Sequence, residues 1–218
     1  MQKIILFGTG PFAKQVWNVI KDDTRYKLCG FCVEEMYFHD DLFCGLPVYS
    51  FEKLKNFYDE KEISILVCVG YKKMNRLRKD ILHKCIGGGY NIISYISPKA
   101  FVNTRDIGVG NIILDNVYIG YDCKIGDGNI FYPFSILAHD DVVGNYNFFS
   151  ISASCAGNVQ IGDFCFLGNN STTKDGIKIA DGSLVGAGSY IAIDTESWSV
   201  YAPVRTIKLE KSSLEIDV

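Results

Sequence analysis

The chain holds three histidines, and only one stands among groups that would help it move a proton. His139 lies in Ser-Ile-Leu-Ala-His139-Asp140-Asp141-Val-Val-Gly. Histidine is the usual general base near neutral pH. An adjoining carboxylate such as Asp140 orients the ring, or raises its pKa by favouring the charged form. His39 falls in a loop-like stretch and His83 in a basic helical one, and neither has partners that suggest a metal site. Cys29-Gly-Phe-Cys32 has the spacing of a redox pair, but it sits inside a strand-like run instead of at a helix start.

The element that must position His139 is a repeat. Cut every six residues from Ile107, the chain opens its hexads with Ile107, Ile113, Ile119, Ile125, Phe131, Leu137, Val143, Phe149, Cys155, Ile161, Leu167, Thr173, Ile179, Val185 and Ile191. Fourteen of these fifteen are apolar, and the next residue is small in twelve hexads. Neither a helix nor a plain strand gives that pattern. A triangular coil does: each hexad forms one flat side, its aliphatic residue points inward, and glycine relieves strain at the turn. Such units cannot bury their own apolar face and stack on copies of themselves. The pattern predicts a left-handed parallel β-helix of five coils, about 24 Å long at roughly 4.8 Å per coil. A step of three hexads returns to the same corner one coil later, so from His139 it lands on Gly157. A bare glycine N–H stacked beside an imidazole is an oxyanion donor suited to acyl transfer.

Ahead of the coil, Lys3–Phe7 reads as a buried parallel strand, followed by Gly8-Thr9-Gly10-Pro11-Phe12-Ala13 and a helix-like run. Strand, glycine turn and helix open a nucleotide-binding α/β unit, in which the helix amino end points N–H groups at a phosphate. Tyr26–Val33 forms a second strand that ends in Glu34-Glu35, either the acid that such folds place near a ribose or two solvated strand-end carboxylates. Ser50 is positioned to cap a helix beginning at Phe51, and Ile63–Val69 is another buried strand ending at Gly70. Lys72–His83 reads as a basic amphipathic helix with Arg76, Arg78 and Lys79 on a solvated face, and Ile93–Ala100 as a connector. The expected organisation is a small Rossmann-like domain over 1–92, the coil over 93–195 and a tail over 196–218. The first unit is too short for a complete dinucleotide fold, which favours a mononucleotide and disfavours an NAD-dependent oxidoreductase.

Composition sets the bounds. Nearly half of the 218 residues are apolar, and the net charge of −3 carries no basic surplus for nucleic-acid backbones. No apolar run reaches membrane-span length, and the amino terminus lacks a secretory layout. Cys68, Cys123, Cys155 and Cys165 all fall at inward-prone positions, as free thiols do in a reducing compartment, so a cytoplasmic location is expected.

The coil, the His-Asp-x-x-x-Gly string at 139–144, Ser-x-x-x-x-Cys-Ala-Gly-Asn-Val at 150–159 and the Gly8-Thr9-Gly10 unit together resemble the sugar acyltransferases of the hexapeptide-repeat superfamily. That resemblance covers nearly the whole chain. It implies acetyl-CoA-dependent N-acetylation of a nucleotide-linked 4-amino sugar for surface glycans, with no metal. It also implies a homotrimer that binds acetyl-CoA between subunits. By position, His139 resembles the general base, Asp140 its acidic neighbour and Gly157 the N–H donor to the thioester carbonyl. Gly168, Asn169, Ala187 and Gly188 match the pantetheine lining, and Arg205 is placed to meet a CoA phosphate. Gly8, Thr9, Gly10, Glu34 and Gly70 match the nucleotide end. The chain departs from the pattern in three places. Phe148 replaces a second histidine, Phe131-Tyr132-Pro133-Phe134 replaces a more polar stretch, and the tail motif survives only as Ala202-Pro203-Val204-Arg205. O-acetylation of a sugar or sialic acid is the alternative within the family, and a trimerising nucleotide-binding scaffold is the alternative outside it. A metal-dependent hydratase is disfavoured, because it needs several coil histidines.

Overall fold

The computed structural model describes residues 1–208 and Glu210; the rest of the tail lies outside the described residues. In the first domain the strands are Gln2–Phe7 (β1), Tyr26–Val33 (β2), Leu42–Phe43 (β3), Leu46–Ser50 (β4), Ser64–Val67 (β5) and Asn91–Ile92 (β6). They form one sheet in the order β3-β4-β2-β1-β5-β6, parallel except for the β3–β4 hairpin. The central strand β1 buries Ile4, Ile5, Leu6 and Phe7 in succession, as a strand covered on both faces must. Helix α1 (Pro11–Ile20) packs Ala13, Val16 and Ile20 on one face. Helix α2 (Arg76–Gly87) packs Ile81, Leu82 and Cys85 on the other.

Three local expectations are corrected. Phe51–Asn56 is a short 3-10 turn instead of an α-helix, and the Ser50 hydroxyl makes no cap; it lies 3.3 Å from the Glu52 carboxylate. Helix α2 begins four residues later than expected, because Lys73, Met74 and Asn75 are left-handed (φ 56°, 52° and 58°) and cannot continue into a right-handed helix. The stretch read as a connector contributes Tyr95–Ile96, which pairs with Ile112–Ile113 and begins the coil.

The second domain is a three-walled parallel β-helix built from two-residue strands. Tyr118–Ile119, Ile136–Leu137 and Ser154–Cys155 belong to the first wall, Lys124–Ile125 and Val142–Val143 to the second, and Ile130–Phe131 and Phe148–Phe149 to the third. Successive partners stand eighteen residues apart, as in Tyr118↔Ile136 and Ile136↔Ser154. The hexad openers from Ile113 to Ile191 are all buried. The one polar opener, Thr173, also points inward, and its Oγ1 accepts the Ala156 N–H at 3.3 Å.

The small residue after each opener has a different cause from the strain relief expected. At Gly126 a Cβ would lie 2.7 Å from the Gly144 carbonyl oxygen one coil on, and at Gly120 it would collide with the Ala138 carbonyl. Close approach between coils excludes a side chain there. The strained dihedral falls two positions later and is borne mostly by non-glycine residues, among them Asn116, Phe134, Asp140, Tyr146 and Asn158.

A buried arginine is central to the joint between the domains. Arg78 was expected on a solvated face, yet it is fully buried. Its guanidinium donates to Val67 O (2.5 Å) and Val69 O (3.1 Å) at the end of β5, and to Gly110 O (2.5 Å) and Gly128 O (2.7 Å) at one corner of the coil. Burial lowers its pKa to about 10, so it stays charged at neutral pH. Beside it, Asn75 donates to Tyr146 O at 2.6 Å and the His83 ring meets the Tyr146 hydroxyl at 3.0 Å. Replacing Arg78 by Met leaves buried carbonyls without donors. We expect Arg78→Met to lose on the order of 3–5 kcal/mol in denaturant unfolding, and Arg78→Lys to recover only part, since one ammonium cannot span both domains.

Candidate active site

The corner between the first and second walls carries Tyr121, His139 and Gly157 on successive coils. The imidazole of His139 lies over Gly157 so closely that a Cβ there would collide with Cε1 and Nε2. On its other side the ring stacks on Tyr121, with centroids 5.3 Å apart and an interplanar angle of 8°. Nδ1 stands 2.8 Å from Asp140 Oδ2. An ionised carboxylate only accepts, so Nδ1 carries the proton and Nε2 keeps a free lone pair. The side chain is 45% exposed, open to an incoming proton donor.

The Gly157 N–H has no acceptor among the described residues. That distinguishes this corner from the one between the second and third walls. There the N–H groups of Val109, Asp127, Asn145 and Asp163 are each bound by the Asp or Asn side chain one coil later. One corner is sealed by a ladder of side-chain oxygens, and the histidine corner is left open.

Beneath His139 lies Asp141, which is fully buried. Its Oδ1 accepts the Val159 N–H at 2.8 Å and its Oδ2 accepts the Ala138 N–H at 3.1 Å. Burial raises its pKa to about 6, against the pull of those two amides. Sequence reasoning passed over Asp141 and Tyr121, although Tyr121 lies one eighteen-residue step before His139.

Gly8, Thr9, Gly10, Glu34 and Gly70 all line one cavity of about 610 Å³ at the carboxyl ends of β1, β2 and β5. Gly8 has φ +121°, and a Cβ would sit 3.0 Å from Cys68 O, so no other residue fits the turn. Glu34 reaches the cavity already paired, its carboxylate 2.7 Å from Lys84 Nζ. Phe12, Gln15, Tyr71, Lys72 and Tyr132 also line it; of these, Gln15 and Tyr71 carried no signal in the sequence, whereas Tyr132 belongs to the stretch that departs from the family pattern.

Gly168, Asn169 and Ala187 line a second cavity, of about 400 Å³, at the corner between the third and first walls. Gly188 is not part of that lining; its N–H is bound to Asn169 O at 2.8 Å. Arg205 is exposed beyond the last strand. Tyr71 and Tyr132 are common to both cavities. Phe148, where a second histidine was expected, is buried between Phe166 (5.1 Å, stacked), Tyr71 (4.7 Å) and Tyr132 (5.0 Å). His139, Asp140 and Gly157 line neither cavity. The first wall separates them from Gly168 and Asn169 within one chain.

Coil and sheet together give a hexapeptide-repeat β-helix with a small Rossmann-like domain in front. The family profile for the hexapeptide repeat of succinyl-transferase matches residues 158–192. Among solved structures, the acetyltransferase domain of PglB from Neisseria gonorrhoeae FA1090 in complex with acetyl coenzyme A is similar at 22% identity and TM-score 0.81, over 91% of this chain and 95% of that one. PerB from Caulobacter crescentus, in complex with CoA and GDP-perosamine, is similar at 24% identity and TM-score 0.80, over 92% and 93%. WeeI from Acinetobacter baumannii AYE is similar at 20% and TM-score 0.80, over 92% and 96%. The chain has the two-domain fold of these proteins. No curated protein matches its sequence. Among the described residues no helix is long and apolar enough to cross a membrane.

The raised pKa of Asp141 fixes the sign of a stability effect. A carboxyl that titrates near 6 when folded and near 3.9 when unfolded binds its proton more tightly in the native state. The resulting stabilisation is complete below about pH 4 and is lost as pH rises to about 6. Relative to Asp141→Asn, the wild-type chain should therefore lose roughly 2 kcal/mol of unfolding free energy between pH 4 and pH 7 in urea titrations. Parallel stability curves for the two proteins would contradict the assignment.

Proposed function

We propose that the chain is an acyl-CoA-dependent N-acyltransferase, with acetyl-CoA as donor, acting on the amino group of a nucleotide-linked amino-deoxy sugar destined for surface glycans. The observation that carries this reading is the imidazole held over an unclaimed glycine N–H, with Asp140 on Nδ1 and Nε2 free. An amine must be neutral to attack a thioester. His139 Nε2 takes the proton released as nitrogen bonds to the acyl carbon, while the Gly157 N–H donates to the oxygen on which charge develops. CoA then leaves as its thiolate, and no covalent enzyme intermediate is required. The shared fold supports the reading, since PerB was solved with CoA and GDP-perosamine and PglB with acetyl coenzyme A.

The rest of the site follows from the two cavities. Gly8, Thr9 and Gly10 at the start of α1 suit the phosphates of a nucleotide, with Glu34 and Gly70 completing that end. Gly168, Asn169 and Ala187 suit a pantetheine arm, because a chain of amides needs a narrow groove and backbone partners. Gly188 sits one residue past that lining, and Arg205 suits a CoA phosphate beyond it.

Because the first wall separates His139 from Gly168 and Asn169, a second copy must supply one half of the site. A trimer about a threefold axis does so by setting the histidine corner of one subunit against the cavity corner of the next. The exposed Phe101, Tyr118, Ile136 and Tyr190 on the outer face of the first wall are the surface such packing would cover. Eight free cysteines suit the cytoplasm.

Two substitutions test the chemistry, using acetyl-CoA with a panel of GDP-, UDP- and dTDP-linked 4-amino sugars. His139→Ala should lower kcat by on the order of 10²–10⁴ with the melting temperature unchanged. Gly157→Ala should lower it comparably by displacing the ring. Near-normal turnover in His139→Ala would remove His139 from the base role. Transfer to hydroxyl acceptors alone would reassign the chemistry to O-acylation.

A further inference from the structure

Asp141 differs from every other residue at its place in the repeat. The fifth hexad position points into the wall, where a suitable polar side chain fastens one coil to the next. At the sealed corner a neutral carboxamide does this: Asn111 Oδ1 accepts from Asn129, Asn129 from Asn147, and Asn147 from Cys165. At the remaining corner the position holds Val117, Ser135, Ala153, Ser171 and Ser189, and at the histidine corner Cys123, Val159, Ile177 and Thr195 occupy it on the other coils. Only beneath His139 does a carboxylate take this place, and burying an ionised acid is costly, offset here only in part by the two amides it accepts from.

The contacts of Asp141 bracket the proposed catalytic pair. Oδ2 holds the amide of Ala138, the residue before His139, and Oδ1 holds the amide of Val159, two residues past Gly157. One rigid group thus sets the separation between the coil that carries the imidazole and the coil that carries the bare N–H.

Resting on the reading of His139 as the base, we propose that Asp141 is a positioning residue: its buried carboxylate fixes the His139–Gly157 spacing and places a poorly screened negative charge that favours the imidazolium formed when the base takes its proton. The titratable groups that face it are His139 and Asp140 on its own coil and Cys123 and Cys155 from the neighbouring coils. Burial pushes both thiols upward, so they remain uncharged and contribute no competing charge.

Asp141→Asn separates this role from simple packing. The carboxamide keeps the shape and one acceptor for Val159, but it carries no charge and turns its NH₂ toward the Ala138 N–H. Peptide-resolved carbethoxylation of His139 by diethyl pyrocarbonate, followed against pH, reports the proton on the ring without any substrate. In Asp141→Asn the midpoint of that reactivity should fall by on the order of one pH unit. Amide exchange at Ala138 should accelerate while Val159 stays protected. With acetyl-CoA and the amino-sugar panel, kcat should fall tenfold or more at constant KM for acetyl-CoA. An unshifted midpoint in a variant with a native circular dichroism spectrum would overturn the proposal. If the midpoint shifts and the wild-type chain transfers no acyl group, the link between Asp141 and His139 stands and the transferase reading fails.

Discussion

The closeness of successive coils governs this molecule. A carbonyl of one winding occupies the space that a side chain would need on the winding before it, as Gly120 under Ala138 and Gly126 under Gly144 illustrate. That approach lets two-residue strands pair in an unbroken eighteen-residue register, and the register carries any side chain to a fixed corner one floor up. His139 rests on Gly157 for the same reason that Gly126 rests on Gly144. The site is a local use of a global packing rule, with an imidazole filling the room that a missing Cβ leaves.

The second constraint is how the sheet domain is held to the prism. A fully buried guanidinium with no carboxylate partner is unusual, and its four carbonyl acceptors come from both domains. Arginine suits the task because its planar fork offers five donors in fixed directions. Around it, Tyr146 stacks on Phe164 and Phe164 on Trp198, while Lys79 and Arg76 lie over Phe164 and Trp198. The basic face of α2 therefore lies along an aromatic column, with Arg76 still exposed to water and Lys79 half-buried. The cavity that holds Gly8 and Gly70 is consequently fixed against the third wall, with Tyr132 bridging to Gln15 at 2.8 Å.

Much of this was legible in the residues. The period gave the coil, its inward positions and the corner shared by His139 and Gly157, because stacking obeys sequence spacing alone. The glycine turn after β1 gave the cavity for the same reason of local geometry. Arg78 was not legible, since a buried cation is recognised only once its distant acceptors are known. The left-handed residues of the coil were hidden because Phe134, Tyr146 and Phe164 occupy positions where glycine would have announced the turn. Asp141 is a different matter. It shares its hexad position with Cys123, which the spacing correctly sends inward. The same arithmetic separates the exposed Asp140 from its buried neighbour, although in the sequence they are simply two adjacent acids.

The register also governs how such a chain can change length. Inserting one residue inside a winding would rotate every later inward side chain out of the interior, so additions are tolerated only as whole floors or as bulges at an outer bend. The terminal floors escape the rule: Tyr95 pairs with Ile112 and Leu184 with Val200, one residue and two residues short of the eighteen seen between. Growth and trimming of this prism are thereby confined to its ends, and the histidine bend in the middle is shielded from them.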